Sequence, residues 1–237
     1  MTKLGIIGAM DVEVQTLVKA LEEKRECKKA GSTFYEGLLC GLPVVVVECG
    51  VGKVNAALCA QILCDCFQVT CLVNTGIAGS LRPELDIGDL VVSLDAMYHD
   101  VDCHFVNYPL GMIPGMPLRF DADEKMIACA FSAAEKVNPG HTHVGRIATG
   151  DQFIADSAAK EKIVAITQAA CVEMEGTGIA HTAFRNGIPF VILRAISDKA
   201  DHSAEMDYPT FEAIAAARCA EVTMTMARQI YEDEENL

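Results

Sequence analysis

The chain lacks any apolar run long enough to cross a bilayer. Its longest charge-free stretches, such as residues 66–81, hold 16 residues with several polar groups among them. A spanning helix takes about 20 mostly apolar residues. The apolar run in MTKLGIIGAMDVE is cut off by an acid too early for a secretory leader. No Cys-x-x-Cys pair occurs, since Cys64 and Cys66 are a single residue apart, and the total of 11 cysteines is odd. A disulfide framework is thereby excluded, and a reduced, cytoplasmic protein is expected. Cys49, Cys59 and Cys71 sit within or beside apolar runs and read as small buried hydrophobes.

Positive charge is also scarce. Lysine and arginine number 19 against 33 acids, for a formal net charge of −14. Such a chain repels phosphate backbones and anionic lipid surfaces, so neither nucleic acid nor membrane is expected as a partner. The acids are spread along the chain apart from the tail EDEEN, which reads as a frayed, solvated end. Linkers, repeats and low-complexity tracts are missing too, and residues 1–237 are read as one domain.

What is present alternates. KLGIIGA reads as a buried strand, and DVEVQTLVKALEEK as a helix with Val14, Leu17, Val18 and Leu21 on one face and Asp11 as N-cap. TFYEGLL and LPVVVVEC form a strand pair, and GVGKVNAALCAQILCDC is a helix with a glycine-rich entrance. CLVNTG is a strand ended by a turn at GIAGSL, and DIGDLVVS is a strand. Residues 97–118, with three prolines and two glycines, form a long irregular segment of the kind that serves a site or an interface. After it come helix (DADEKMIACAFSAAEKV), strand (HVGRIATG), helix (ADSAAKEKIVAIT), strand (CVEM), helix (GTGIAHTAFRNG), strand (PFVILRAIS) and a long last helix. Near-continuous apolar strands between helices are the mark of an α/β sheet covered on both faces.

In such sheets ligands bind beyond the carboxyl ends of the strands. Four places put polar groups there: Glu13 after GIIGAMDV, the turn NTGIAG, the pair Glu173 and Glu175 in VEMEG, and Ser197-Asp198 after FVILRAI. Asp198 is either a helix or turn cap or an acid whose pKa burial has raised enough to donate a proton near neutrality. Glu13 is either favoured by the helix dipole or a base beside a ligand. Glu173 and Glu175 either share one strand face, wrap a small ligand, or form structural ion pairs with Arg194. GVGKV lacks the spacing and Ser/Thr of a phosphate-binding loop. His99, Asp100, Asp102, Cys103 and His104 are spaced too closely for ordinary zinc ligation, and His141 and His143 read as surface residues.

Taken in order, GIIGAM-x-x-E, GVGKVNAA, NTG-x-AG, L-x-x-GD-L-VV, YHD-x-D, GDQFI, VEMEG and RAISD-x-A run from end to end of the chain. That series resembles the 5′-methylthioadenosine/S-adenosylhomocysteine nucleosidases of the purine and uridine phosphorylase superfamily. The resemblance implies a single three-layer α/β domain with a central twisted mixed sheet and a homodimeric assembly. It implies hydrolysis of the bond between adenine and a 5′-thio-substituted ribose, without metal or organic cofactor, in methionine salvage. Residue by residue, it implies that Asp198 protonates adenine at N7 with help from Ser197, and that Glu13 activates water near Arg194. Glu175 would bind ribose hydroxyls, Met174 the sugar face, and Phe153 and the Ile154 backbone the base, with Glu173 supporting. Met10, Val51 and Tyr208 would line the sugar and 5′ side, with Ala78 and Gly79 nearby. Tyr108 and Pro114, within 97–118, would close the site of the neighbouring subunit. Ile77 stands where some relatives carry serine. The absence of Arg or Lys between Lys3 and Lys19 favours hydrolysis over phosphorolysis, and neither Arg25 nor Arg82 is placed for phosphate. An aminodeoxyfutalosine substrate and a phosphorolytic activity are the alternatives on the same scaffold.

Overall fold

The computed structural model describes residues 2–236. In chain order the elements are β1 (Leu4–Gly8), α1 (Asp11–Ala20), β2 (Glu22–Lys29), β3 (Ser32–Leu39), β4 (Leu42–Glu48), α2 (Lys53–Phe67), β5 (Cys71–Ser80) and β6 (Leu90–Tyr98). There follow β7 (Phe120–Asp121), α3 (Glu124–Val137), β8 (Thr142–Thr149), α4 (Ser157–Thr167), β9 (Cys171–Glu173), α5 (Gly176–Asn186), β10 (Phe190–Asp198) and α6 (Ala204–Glu235). All ten strands join one mixed sheet in the order β10-β6-β8-β9-β5-β1-β4-β3-β2, with β7 beside β6. Because β10 also pairs with β5, the strands β5, β10, β6, β8 and β9 close into a ring.

The period-two alternation of the central strands builds the layers. Leu4 and Ile6, with Val44, Val46 and Val73, pack against Val14 and Leu17 of α1, Met126 and Ala130 of α3, and Ala216 and Ala220 of α6. Ile7, with Val45, Val47 and Leu72, packs on the other face against Ala56, Ala60 and Leu63 of α2 and Ile179 and Ala183 of α5. The expected three-layer mixed α/β architecture is therefore observed. Cys49, Cys59 and Cys71 are buried, as their apolar surroundings required.

Four local expectations are corrected. The first helix stops at Ala20, and residues 22–29 form the polar strand β2, paired with β3. Every residue of EEKRECKK is at least partly exposed, so this edge strand carries no apolar alternation to read. Met10, not Asp11, is the N-cap of α1. The turn expected at GIAGSL is absent: β5 runs straight through to Ser80, fully buried between β1, β9 and β10. The acidic tail does not fray at its start; α6 continues to Glu235, and Glu234 accepts the Thr2 amide at 2.7 Å.

Candidate active site

The carboxyl ends of the parallel strands β1, β5 and β10 meet at one small cavity. Its wall contains Met10, Glu13, Val51, Ala78, Gly79, Phe153, Glu173, Met174, Glu175, Ser197, Asp198 and Tyr208, twelve of the residues singled out in the sequence. Larger clefts elsewhere, among them two of about 570 and 660 Å³, hold none of these acids. Chemistry rather than volume therefore marks the site.

Glu13 enters from the first turn of α1 and is 4 % exposed. Its Oε2 accepts the amides of Ala9 (2.6 Å) and Met10 (3.0 Å), and its Oε1 accepts that of Ile77 (3.1 Å). Glu13 thus stands at a helix terminus and in the cavity wall at once. Burial raises its pKa, against the opposing pull of Arg194 and the three amides.

Asp198 closes β10 and is 2 % exposed. Oδ1 accepts the Ala200 amide and Oδ2 the Ser197 hydroxyl, both at 2.8 Å. Desolvation raises its pKa, and those two hydrogen bonds only partly offset the shift. Cap and candidate acid coincide here as well.

The VEMEG stretch separates its two glutamates. The strand β9 ends at Glu173, and Glu175 is the N-cap residue of α5. The Glu173 carboxylate is taken up by Arg194, the Thr149 hydroxyl and the amides of Glu175 (3.1 Å) and Gly176 (2.6 Å). It belongs to the frame of the cavity, as the ion-pair alternative held. The Glu175 carboxylate accepts the Gly52 amide at 2.8 Å, its one hydrogen bond among the described residues, while its Oε2 stands 3.9 Å from Arg194. Burial, reinforced by the charge of Glu173, raises the Glu175 pKa to about 8.

Arg194 is not in the cavity wall. It lies behind it, 2 % exposed, paired with Glu173 and donating to Asn74 Oδ1 at 2.5 Å. Among the described residues no lysine or arginine lines the cavity. Arg25 borders a separate surface cleft and Arg82 donates to the Gln168 carbonyl, so neither is available to a phosphate at the site. The Ile154 side chain packs away into a cluster with Leu81, Ala148 and Val172. Tyr108 and Pro114 lie outside the cavity of their own chain, in the irregular segment after β6.

A family model described as the phosphorylase superfamily matches residues 3–228. A 5′-methylthioadenosine/S-adenosylhomocysteine nucleosidase from Geobacillus thermodenitrificans is 40 % identical over 225 residues, covering 94 % of this chain and 95 % of the relative. The chain belongs to this superfamily, in the family of the 5′-methylthioadenosine/S-adenosylhomocysteine nucleosidases. The solved structure of such a nucleosidase from Colwellia psychrerythraea, in complex with adenine, superposes with a TM-score of 0.93. It is 37 % identical, with 96 % of this chain and 95 % of that one covered. The futalosine hydrolase of Helicobacter pylori superposes with a TM-score of 0.92 at 32 % identity, covering 96 % of this chain and 98 % of its own.

Within this nucleosidase-family site, two features escape a reading of side-chain types. The first is the set of amides from Ala9, Gly52 and Ile77 that hold the carboxylates, since a backbone donor leaves no residue signature. The second is the space left by glycine. A Cβ on Gly79 would stand 2.8 Å from Asp198 Oδ1, and one on Gly76 would collide with Glu13. The glycines of NTGIAG were the available signal, and they mark a close approach of carboxylates rather than a turn.

Proposed function

We propose that the chain hydrolyses the N-glycosidic bond of 5′-methylthioadenosine and S-adenosylhomocysteine, releasing adenine and the 5′-thio-ribose. The observation that carries this reading is the meeting of two buried acids, Glu13 and Asp198, in one cavity whose wall, among the described residues, has no cationic side chain. Adenine leaves poorly as an anion. Asp198, its pKa raised by burial, gives a proton to N7 as the C1′–N9 bond breaks. The ribose becomes oxocarbenium-like. Glu13 takes a proton from water as the water oxygen bonds C1′. General acid–base assistance of this kind contributes typically ~10²–10⁴-fold, and paired carboxyls around a sugar follow the same logic.

The other roles follow position. Glu175 binds the ribose hydroxyls and Met174 packs against the sugar. Phe153, which is half-exposed and edge-on to Tyr208 with ring centroids 5.3 Å apart, stacks on the base. The Ile154 backbone reads the base edge, while Met10, Val51 and Tyr208 line the 5′ side. Ser197 orients Asp198, and Ala78 and Gly79 form the floor. A phosphate dianion would meet Glu13 and, among the described residues, no cation in the cavity wall, which supports water as the nucleophile.

The single continuous sheet supports reading residues 1–237 as one domain. Phe105 and Val106, 90 % and 61 % exposed, support a homodimer in which residues 97–118, with Tyr108 and Pro114, close the neighbouring site. The cysteines, all free, support a cytoplasmic setting. The likeness to the futalosine hydrolase supports a second reading, a futalosine-type adenine nucleoside as substrate.

The test is adenine release from methylthioadenosine in phosphate-free buffer, beside S-adenosylhomocysteine and aminodeoxyfutalosine. Turnover without phosphate is expected, fastest on the thio-nucleosides. A rate that requires added phosphate would replace hydrolysis by phosphorolysis.

A further inference from the structure

Three stretches that the sequence made conspicuous supply no acid or base to the reaction: the GVGKV entrance to α2, the His99-Asp100 pair after β6, and Gly150-Asp151 after β8. The fold brings them together. Lys53 Nζ is 2.5 Å from Asp100 Oδ2 and 3.6 Å from Asp151 Oδ2. Asp100 Oδ2 also accepts the Asp151 amide at 2.9 Å. Asp151 Oδ1 in turn accepts the Lys53 amide at 2.9 Å. The N-cap of α2 is Gly52, which has no side chain to satisfy that first helical amide, and Asp151 does so from another strand end.

The neighbouring amide points the other way. Gly52 N–H donates to Glu175 Oε1 at 2.8 Å, the one hydrogen bond that the Glu175 carboxylate makes among the described residues. Gly52 adopts φ +103°, a left-handed backbone, and a Cβ there would meet Asp151 Oδ1 at 3.2 Å. Successive amides of one turn are therefore divided between Asp151 and Glu175. Lys53 holds Asp100, Asp100 holds the Asp151 backbone, and Asp151 holds the Lys53 backbone, closing a cycle.

We propose that Asp151, braced by Asp100 and Lys53, is a positioning residue: it fixes the Gly52 amide and through it the orientation of Glu175. The inference rests on the assignment of Glu175 to the ribose hydroxyls. Asp151 touches no reacting atom, and its effect reaches the sugar only through that carboxylate. A misplacement of about 1 Å, even far from the chemistry, can cost ~100-fold in rate.

The test pairs variants with substrates. Asp151→Ala is compared with the parent on methylthioadenosine and on analogues lacking the 2′- or the 3′-hydroxyl. Loss of kcat/KM of about tenfold is expected on the full substrate, and a loss within about twofold on the analogue missing the hydroxyl that Glu175 holds. Asp151→Asn keeps the Oδ1 acceptor and is expected to restore most of the lost rate, whether or not the alanine variant folds well. Equal losses on all substrates with Asp151→Ala, or an Asn variant as defective as Ala, would overturn the inference. Glu175→Gln on the same substrates separates the two levels. If Glu175→Gln discriminates by hydroxyl and Asp151→Ala does not, the positioning inference alone falls. If Glu175→Gln is itself blind to the hydroxyls, the ribose assignment falls and takes the inference with it.

Discussion

The Glu13 carboxylate accepts the Ile77 amide at 3.1 Å and so ties the first turn of α1 to the middle of β5. The contact exists because residue 76 has no side chain. A Cβ on Gly76 would collide with Glu13 Oε1 and stand 3.3 Å from Arg194 Nη1. Gly76→Ala is therefore expected to push Glu13 out of place and lower kcat/KM by ~100-fold. The fold should survive, since Gly76 has no positive φ to lose. Steady-state kinetics beside a thermal melt check this; a parent-like rate would show that Glu13 need not sit there.

Asp198 and Glu13 make opposite demands on pH. Both have pKa values raised by burial. Asp198 acts in its protonated form, so the rate falls as pH rises through its folded pKa. Glu13 acts in its ionised form, so the rate rises through its own. A bell-shaped profile of kcat/KM is expected, reporting the free enzyme. Asp198→Asn leaves no acidic proton and should cost ~10²–10⁴-fold. A variant near the parent rate would remove Asp198 from the role of acid.

How much of this was legible in the sequence depends on the kind of interaction. The buried strands announced themselves because Leu4–Gly8 and Leu42–Glu48 are nearly continuous apolar runs, and strand ends then located Glu13, Glu175 and Asp198. β2 was not legible, because an exposed edge strand is held by backbone pairing to β3 and needs no apolar face. The glycines of NTGIAG misled for a related reason: in β5 they answer to carboxylates arriving from α1 and β10, which no local pattern records. A pair between Arg194 and the glutamates was one of the alternatives, and Glu173 makes it, but the place of Arg194 behind the wall follows from the closure of the sheet, not from its neighbours in sequence.

Glu175 links the site to stability. Its pKa rises from 4.5 to about 8 on folding, mainly through burial. The folded state therefore binds a proton that the unfolded chain releases. That contribution to stability is fully present below pH 4.5 and is lost as pH rises through about 8. Glu175→Gln cannot ionise and escapes the loss. The melting temperature of the variant relative to the parent should climb between those limits; a constant difference would mean that Glu175 is ionised throughout.

Arg194 and Glu173 form an ion pair with both side chains 2 % exposed. Removing one member of such a pair strands the other, at a typical cost of ~3–5 kcal/mol. Arg194→Met leaves Glu173 buried without its cation, and adding Glu173→Gln should recover part of the lost stability. The single variant Glu173→Gln has a second, separable effect. It keeps much of the side-chain shape but removes the negative charge that offsets Arg194. The uncompensated guanidinium, which already favours ionised Glu13, then acts on it more strongly. Glu13 should ionise at lower pH, moving the acidic limb of kcat/KM downward. Glu175 loses the neighbouring charge that raises its pKa, and should ionise more readily as well. An acidic limb that stays in place, with stability lost, would confine Glu173 to holding the fold together.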